Sequence, residues 1–323
     1  MIFNWKYNPQ NHMKKPLVSI VISTYNRTSS LNKYCFPGLT QLTYPNYEII
    51  VVNDGSTDET QTFLDSCVDE MNNLLVIHNK KNQGTCFSRN IGVANAKGEI
   101  IVFSDDDVRL HPDCLDELVK VYENDLDVMA IWGCVYEYGG SWKEGTKTFG
   151  SGSLMSFRQL VFNNFRFDTN LRYFKTNSCD EHEFMRRIQR HGLKIIKVET
   201  AKADHFHAPS KDRSWRWVGG DLNFLYENLK SGSVIEYYLC FLMGIILTFK
   251  ELVTKEKPSE KWYKHMYKEM FQTPKRLFAM LNERQFSIAI KWLFYTLVDI
   301  PLRAKTKGII ESIARTHSKT WPV

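Results

Sequence analysis

The sequence predicts an α/β fold with a mostly parallel β-sheet, followed by a helical region at the C-terminus. Short apolar runs rich in Val and Ile alternate with amphipathic segments, at intervals of roughly 25 residues in the first third of the chain. Apolar runs of this kind are typical of strands that are buried on both faces. Their alternation with helices indicates parallel strands with helices packed on each side of the sheet.

Four apolar runs are predicted as the first four strands, and a helix is expected after each of the first three. The predicted strands are residues 17–23, 47–52, 74–77 and 100–103. The predicted helices begin near Ser29, at Thr57 and after Gly84. Further along, the pattern predicts a helix over 112–123, a strand over 128–136, a helix from Asp180 to His191 and a short strand over 194–198.

Three consecutive carboxylates, Asp105, Asp106 and Asp107, follow the fourth predicted strand. They cannot all be buried and ionised, because like charges repel and their desolvation is costly. We therefore expect them at the open end of the strand, where Mg²⁺ or Mn²⁺ would neutralise them. Taken alone, the same residues are equally compatible with a solvated acidic turn before the next helix.

Polar residues also follow the first two strands, at Thr24 and Asp54. In sheets of this kind, ligands bind outside the carboxyl ends of the strands. A nucleotide site is therefore predicted at this edge. The sequence contains neither GxGxxG nor GxxxxGK[ST], which argues against a dinucleotide enzyme or a P-loop kinase. Bound phosphates would then need a metal ion.

Charge and cysteine content limit the class of protein further. Residues 250–323 contain 15 Lys and Arg against 7 Asp and Glu, a net of +8, whereas the rest of the chain has a net of −2. The seven Cys form no CxxC pair, which favours reduced thiols in the cytosol over a disulfide framework. The first 15 residues lack the apolar core of a signal peptide, so secretion is not expected.

Five motifs follow one another in residues 16–207: SIVISTYNR, EIIVVNDGSTDET, NQGTCFSRNIGVANAKGEIIVFSDDD, GSLMSFR and DEHEFMRRIQRHGLKI. In this order and spacing they resemble the family 2 glycosyltransferases, which have the GT-A fold. The resemblance implies an inverting, metal-dependent transfer of a sugar from a nucleotide-sugar to a hydroxyl group. A UDP-sugar is the expected donor because an Asp such as Asp54 suits uracil, although thymine presents the same edge.

The resemblance assigns six residues to the nucleotide-sugar: Thr24, Tyr25, Asp54, Arg89, Asp105 and Asp106. Thr24 and Asp54 would contact the nucleobase, and Arg89 would help to hold the nucleotide. Asp105 would face the ribose or the sugar, whereas Asp106 is expected to turn away from the diphosphate.

By the same resemblance, Asp107 would bind the metal ion, Mn²⁺ or Mg²⁺, on the diphosphate. His205 and His207 alternate around Phe206, so both would point to one side of an extended segment. We expect one of them to complete the metal site, with His207 preferred over His205. The alternative is a pair of surface histidines without a ligand role.

The general base is expected at the start of the helix that begins at Asp180. The family has a Glu-Asp pair here, and this chain has the reverse order, Asp180-Glu181. Alignment on Glu183 and Arg187 puts Glu181 at the catalytic position and leaves Asp180 as the alternative. A structural role is also open, because acidic residues are favourable at a helix N-terminus.

Residues 213–217, RSWRW, resemble the QxxRW segment of processive synthases, but the first residue is Arg. Those synthases also carry several membrane-spanning helices, which are not predicted for this chain. Processive synthesis is therefore not expected. Arg213 or Arg216 would reach the diphosphate, and Trp215 or Trp217 would stack on the acceptor or pack in the core.

The C-terminal quarter predicts a membrane-associating appendage. The apolar stretch 234–249 is shorter than the ~20 residues of a spanning helix. Residues 259–272 combine an aromatic stripe with flanking Lys, the pattern of a helix lying in a membrane interface. Residues 286–300 form another apolar segment. A soluble helical cap or one true span are the alternatives, and nucleic acid is not expected as a partner.

Together these features predict an N-terminal extension (1–15), a catalytic domain (16–210) and a C-terminal helical region with amphipathic helices (211–323). The predicted protein is a glycosyltransferase of polysaccharide or glycoconjugate biosynthesis, peripheral on the cytoplasmic face of the cell membrane. Its acceptor would be a glycan or a lipid-linked saccharide. A nucleotidyltransferase of similar fold, or a catalytically silent membrane-bound binder of sugar nucleotides, are the alternatives.

Overall fold

The computed structural model describes residues 15–140, 143–172, 180–207 and 286–307, with short helical stretches between residues 222 and 242. The chain divides into two compact units. The first comprises Met1–Thr169 and Asp180–Lys211, and the second comprises Asn170–Cys179 and Asp212–Trp321. The predicted RSWRW segment and the predicted amphipathic helix over 259–272 lie outside the described residues.

Nine strands in the described part of the first unit form one sheet. They are β1 (Val18–Thr24), β2 (Tyr47–Asn53), β3 (Leu74–His78), β4 (Ile100–Asp105), β5 (Val108–Leu110), β6 (Val128–Tyr138), β7 (Thr146–Thr148), β8 (Leu154–Arg158) and β9 (Lys194–Phe206). Their order is β3-β2-β1-β4-β8-β6-β9-β5, with β7 paired to β6. The first four strands in this order are parallel, as are β6 and β9, whereas β8, β7 and β5 pair antiparallel. The α/β fold predicted from the sequence is confirmed.

Helices cover this sheet, which explains why its central strands are apolar along their whole length. In the first unit these helices are α1 (Thr28–Ser30), which continues through a π-helical turn into α2 (Phe36–Leu39), then α3 (Thr60–Glu70), α4 (Thr85–Asn95), α5 (Cys114–Asn124) and α6 (Asp180–Arg190). Ile20, Ile22, Val51 and Val102 are fully buried in the core that this packing creates. The described part of the second unit includes α7 (Phe286–Phe294). Among the described residues, no helix combines the length and apolar character needed to cross a bilayer.

The strand predicted over residues 194–198 is much longer in the structure, because β9 continues to Phe206. Its parallel pairing with β6 shifts between Gly133 and Cys134, where Gly133 faces Val198 and Cys134 faces Lys202. The intervening residues of β9 bulge out of the ladder, and pairing then resumes. This continuation places His205 within a strand.

Helix α4 packs closely on β1, and a glycine of the helix, Gly92, lies at the contact. A Cβ built on Gly92 would lie 2.3 Å from Cγ1 of Val21, which is 1% exposed. Glycine normally weakens a helix interior relative to alanine. Here the close approach of the strand outweighs that preference.

We expect Gly92→Ala to lower the free energy of unfolding by about 1–3 kcal/mol, because overpacking a rigid β-branched neighbour costs more than the gain in helix propensity. Urea denaturation measures the change. Val21→Ala should be less destabilising in the Gly92→Ala background than in the unmodified chain. A Gly92→Ala variant more stable than the parent would contradict the close contact.

Candidate active site

The carboxyl ends of β2, β1 and β4 lie side by side at one edge of the sheet. Thr24 ends β1, Asp54 follows β2 and Asp105 ends β4. Thr24 pairs with Asn53, and Ser23 with Asp105. The parallel register therefore brings together residues that are 30 to 81 positions apart in the sequence. Tyr25, the next residue after β1, is 42% exposed beside this edge.

Asp54 is buried and holds the loop that leads into α4. Its carboxylate accepts hydrogen bonds from the backbone N–H of Gln83 (2.9 Å) and Gly84 (2.6 Å) and from Nδ2 of Asn79 (2.9 Å). A carboxylate has about four acceptor positions, so these donors occupy most of them. Asp54 thus fixes the N-terminal approach to α4 and retains about one acceptor position for a ligand.

The three consecutive carboxylates point to different partners. Asp106 is buried and lies 3.8 Å from Nε of Arg27. Its burial and the charge of Asp107 raise the pKa of Asp106 to about 8, against the opposing effects of Thr24 and Arg27. Asp106 therefore faces the end of β1. Because Asp106 and Asp107 are both buried, a solvated acidic turn does not describe this segment.

Asp105, Asp107 and His205 form a group that could hold a metal ion. Oδ1 of Asp107 lies 3.2 Å from Nε2 of His205. One ligand atom from each of the three residues lies within 4.8 Å of the other two. Burial opposes a charge on His205, but hydrogen bonds to Asp107 and Glu137 outweigh it and raise the His205 pKa to about 10. This donor set of two carboxylates and an imidazole is suited to a divalent cation.

Glu137 is a part of the site that the sequence patterns did not single out. It is buried on β6, and its Oε2 contacts Nδ1 of His205 (2.8 Å) and Nε2 of His207 (2.9 Å). Burial would raise the Glu137 pKa, but hydrogen bonds from His205 and Thr148 and the charges of both histidines lower it. The predicted strand stopped at Tyr136. Continuing the alternation of inward-facing and outward-facing residues by one more residue would have placed the carboxylate of Glu137 at an inward position.

Arg89 connects two acidic parts of the site. Its Nη1 donates to Asp180, and its Nη2 lies 3.2 Å from Oδ1 of Asp105. The guanidinium also lies over the rings of Phe103 and Phe167, at 5.8 and 5.5 Å from their centroids. Burial opposes the Arg89 charge, yet the two carboxylates outweigh it and raise the Arg89 pKa. Among the described contacts, both terminal nitrogens of Arg89, Nη1 and Nη2, are bound by acidic side chains.

Asp180 and Glu181, at the start of α6, differ in their surroundings. Asp180 is buried, and burial together with the Glu181 charge raises its pKa to about 8 against the charge of Arg89. Glu181 is more accessible, with 19% of its side chain exposed. Burial would raise the Glu181 pKa, but hydrogen bonds with His182 and Asp180 lower it to about 2.

Ser153 is a second contributor that the sequence analysis did not assign to the site, although it lies in the GSLMSFR motif. Its hydroxyl donates to Oδ2 of Asp105 at 3.0 Å and lies 3.4 Å from Nδ1 of His205. The preceding Gly152 approaches Arg89 closely, since a Cβ there would lie 2.7 Å from Nη2. This turn therefore contacts both Asp105 and Arg89.

Comparisons with known proteins agree with the fold and the motifs. The model of Glycosyl transferase family 2 matches residues 19–194, more than half of the chain. Glycosyltransferase GlyG of Streptococcus pneumoniae serotype 4 is 34% identical over 126 residues, which cover 39% of this chain and 41% of GlyG. The glucosyl-dolichyl phosphate glucuronosyltransferase of Haloferax volcanii is 27% identical over 218 residues, covering 58% of this chain and 68% of that protein. The alignments span only 40–42% of the first curated relatives.

Solved structures share the architecture at low sequence identity. The mannosyltransferase PcManGT of Pyrobaculum calidifontis, in complex with GDP-Man and Mn²⁺, superposes with a TM-score of 0.54 at 15% identity, covering 95% of this chain and 89% of that chain. S. aureus TarS 1–349 in complex with UDP gives 0.53 at 16% identity, covering 95% and 94%. These likenesses confirm the expected GT-A fold.

Replacing Arg89 by Met should destabilise the chain by about 3–5 kcal/mol at pH 8, because it leaves the buried Asp180 without its cation. The loss should be smaller at pH 5, where Asp180, with its raised pKa, binds a proton in the folded state. Urea denaturation at both pH values measures it. In the double variant Arg89→Met/Asp180→Leu, part of the stability should return. Equal losses at both pH values, without this recovery, would argue against the buried pair.

Proposed function

This chain belongs to glycosyltransferase family 2, and from that premise we propose that it transfers a sugar from a nucleotide-sugar, with inversion, to a hydroxyl group. The acceptor is a glycan or a lipid-linked saccharide of polysaccharide or glycoconjugate biosynthesis. The donor is a UDP-sugar, bound at the edge formed by Thr24, Tyr25 and Asp54. PcManGT and TarS were solved with GDP-Man and UDP, so both nucleotides belong in a test of donor choice.

The observation that supports this proposal is the meeting of Asp105, Asp107 and His205 at the carboxyl end of β4. The two buried or half-buried carboxylates and the imidazole fit Mn²⁺ or Mg²⁺, which prefer hard oxygen donors and accept nitrogen. A cation bound there would stabilise the negative charge on the departing nucleoside diphosphate. Asp105 is also held by Arg89 and Ser153, so its orientation is fixed before any ligand arrives.

Glu181 is the general base in this proposal, and Asp180 holds Arg89. The raised pKa that would suit a base falls on Asp180, but its carboxylate is buried and occupied by Arg89. Glu181 is ionised at neutral pH and more accessible, so it is available to accept the proton of an acceptor hydroxyl. Arg89 then contributes to the nucleotide site through Asp105.

A membrane surface is the proposed location, on the cytoplasmic side. The helix that begins as α7 continues through a π-helical turn, Tyr295–Asp299, to residue 307. Four apolar side chains on it are 50–68% exposed, and we call them the apolar ridge: Ile290, Phe294, Val298 and Leu302. Exposed apolar patches of this kind mark interaction sites.

The spacing of the apolar ridge is four residues throughout. In an α-helix of 3.6 residues per turn, such a row would drift around the axis. The π turn over Tyr295–Asp299 holds more residues per turn, which offsets part of that drift. Lys291 and Arg303 are exposed on the same helix, and Arg303 pairs with Asp299. Apolar and basic side chains together suit the interface of an anionic bilayer.

A panel of nucleotide-sugars with Mn²⁺, read by nucleoside-diphosphate release, tests the activity. Glu181→Gln should lower kcat by about 10²–10⁴-fold because proton removal is lost, while donor affinity stays within a few-fold. Asp180→Asn is the matched control and should act mainly on stability. If Asp180→Asn abolishes turnover while Glu181→Gln does not, Asp180 is the base. Pyrophosphate release from a nucleoside triphosphate would instead indicate a nucleotidyltransferase.

Replacing Ile290 and Leu302 together by Glu should weaken binding to vesicles containing phosphatidylglycerol by at least about tenfold, because two apolar side chains no longer enter the bilayer. Sedimentation with vesicles measures it. Leu126→Glu, at an exposed apolar position of the first unit, serves as the control and should leave binding unchanged. If the double variant binds vesicles normally but changes from dimer to monomer, the apolar ridge is an interface between copies.

A further inference from the structure

Glu137 lies at the centre of a hydrogen-bonded cluster next to the candidate metal site. Its Oε1 accepts the hydroxyl hydrogen of Thr148 at 2.7 Å. Its Oε2 lies 2.8 Å from Nδ1 of His205 and 2.9 Å from Nε2 of His207. Glu137 is 3% exposed, so this carboxylate depends on these donors rather than on bulk water.

We infer that Glu137 is a positioning residue that fixes His205 with its Nε2 towards Asp107, which makes His205, rather than His207, the imidazole ligand of the divalent cation. This inference rests on the proposed function, because it concerns the cation that the proposal places at Asp105 and Asp107. It reverses the preference for His207 that the sequence pattern gave.

The two ring nitrogens of His205 have different partners. The carboxylate of Glu137 can only accept hydrogen bonds, so Nδ1 of His205 carries the hydrogen. The opposite nitrogen, Nε2, therefore faces Oδ1 of Asp107 at 3.2 Å, and a bound cation would take the place of the hydrogen that Nε2 carries in the charged ring. The longer contact of Nδ1 with Ser153, at 3.4 Å, lies on the same side of the ring as Glu137. A carboxylate behind a metal-binding imidazole fixes its tautomer and increases its basicity.

The ring of His207 is oriented differently from that of His205. It directs Nε2 to Glu137, so this nitrogen is engaged away from Asp107. Its ring lies against the turn at Gly140, where a Cβ would be 3.3 Å from Cγ of His207. Among the described residues, two groups of three could hold a metal ion. One comprises Glu137, His205 and His207, and the other comprises Asp105, Asp107 and His205. His207 therefore acts as a donor that holds Glu137.

The pairing of β6 with β9 brings the residues of the cluster together. Glu137 and His205 are direct partners in the parallel pairing of β6 with β9. Without the shift after Gly133, Glu137 would face Lys202 instead. Because the shift is of three residues, an odd number, it also exchanges the faces of the following side chains. Thr148 is held by β7, which pairs with β6 at Val135. A site built on paired strands holds its groups more precisely than a loop would.

The experiment measures Mn²⁺ affinity in the whole chain with UDP present, by electron paramagnetic resonance of free Mn²⁺, and checks folding by thermal denaturation. Glu137→Gln keeps the shape of the side chain and removes its charge, and it should weaken Mn²⁺ binding about 10–100-fold. His205→Asn should weaken binding at least as much, and His207→Asn by less than about fivefold. Glu199→Gln, an exposed carboxylate on the same strand as His205, should leave the affinity unchanged.

Each outcome bears on one part of the inference. If folded Glu137→Gln binds Mn²⁺ as tightly as the parent, Glu137 has only a structural role and the inference is overturned. If His207→Asn abolishes binding and His205→Asn does not, the ligand assignment is overturned. Should Glu137→Gln fail to fold, Thr148→Val removes one donor to the same carboxylate, and an unchanged affinity in that variant overturns the positioning role. If the parent chain itself binds no Mn²⁺, with UDP or GDP, it is the metal-dependent function that fails.

Discussion

The concentration of carboxylates at one edge of the sheet is the constraint on which the rest of the site depends. Buried ionised carboxylates are tolerated only when opposite charges or hydrogen-bond donors compensate them. The structure uses three kinds of donor for them. Backbone N–H groups hold Asp54, the Arg89 guanidinium holds Asp105 and Asp180, and histidines hold Glu137. Every compensating group also fixes the position of the carboxylate that it binds.

Charge compensation in the acidic turn depends partly on protonation. Burial and the neighbouring Asp107 raise the Asp106 pKa to about 8, so Asp106 favours its neutral form at pH 7 and adds little negative charge to the turn. Asp105 and Asp107 pair instead with Arg89 and His205. A divalent cation bound by Asp105, Asp107 and His205 would add to this compensation, as the proposed function requires.

In the second unit the unfavourable feature is apolar rather than charged, because large apolar side chains are exposed. On the helix that begins as α7, Trp292 and Ile300 are buried, whereas Phe294 and Leu302 are largely exposed. Amphipathic helices of soluble proteins normally bury their apolar face and expose polar residues. A helix that is apolar on both faces is explained when one face meets a surface outside the chain.

The sequence by itself determined the order of the elements and the edge at which the site lies. Apolar runs that end in Thr24, Asp54 and Asp105 follow from local composition, and parallel pairing then places their ends together whatever the details of packing. The motifs likewise sufficed to identify the family. All of these features are local in the chain, so one-dimensional patterns record them.

Only the tertiary structure decided which side chains meet. The role of Arg89 as a link between Asp105 and Asp180 depends on contacts over 91 residues of sequence. The cluster of Glu137 with His205 depends on a register shift in the pairing of β6 with β9. Hydrophobic periodicity fixes which face of a strand is buried but carries no information about such a shift. Which strand residues face one another is set by packing of the whole sheet, and for that reason the sequence pattern favoured His207 whereas the structure brings His205 to Asp107.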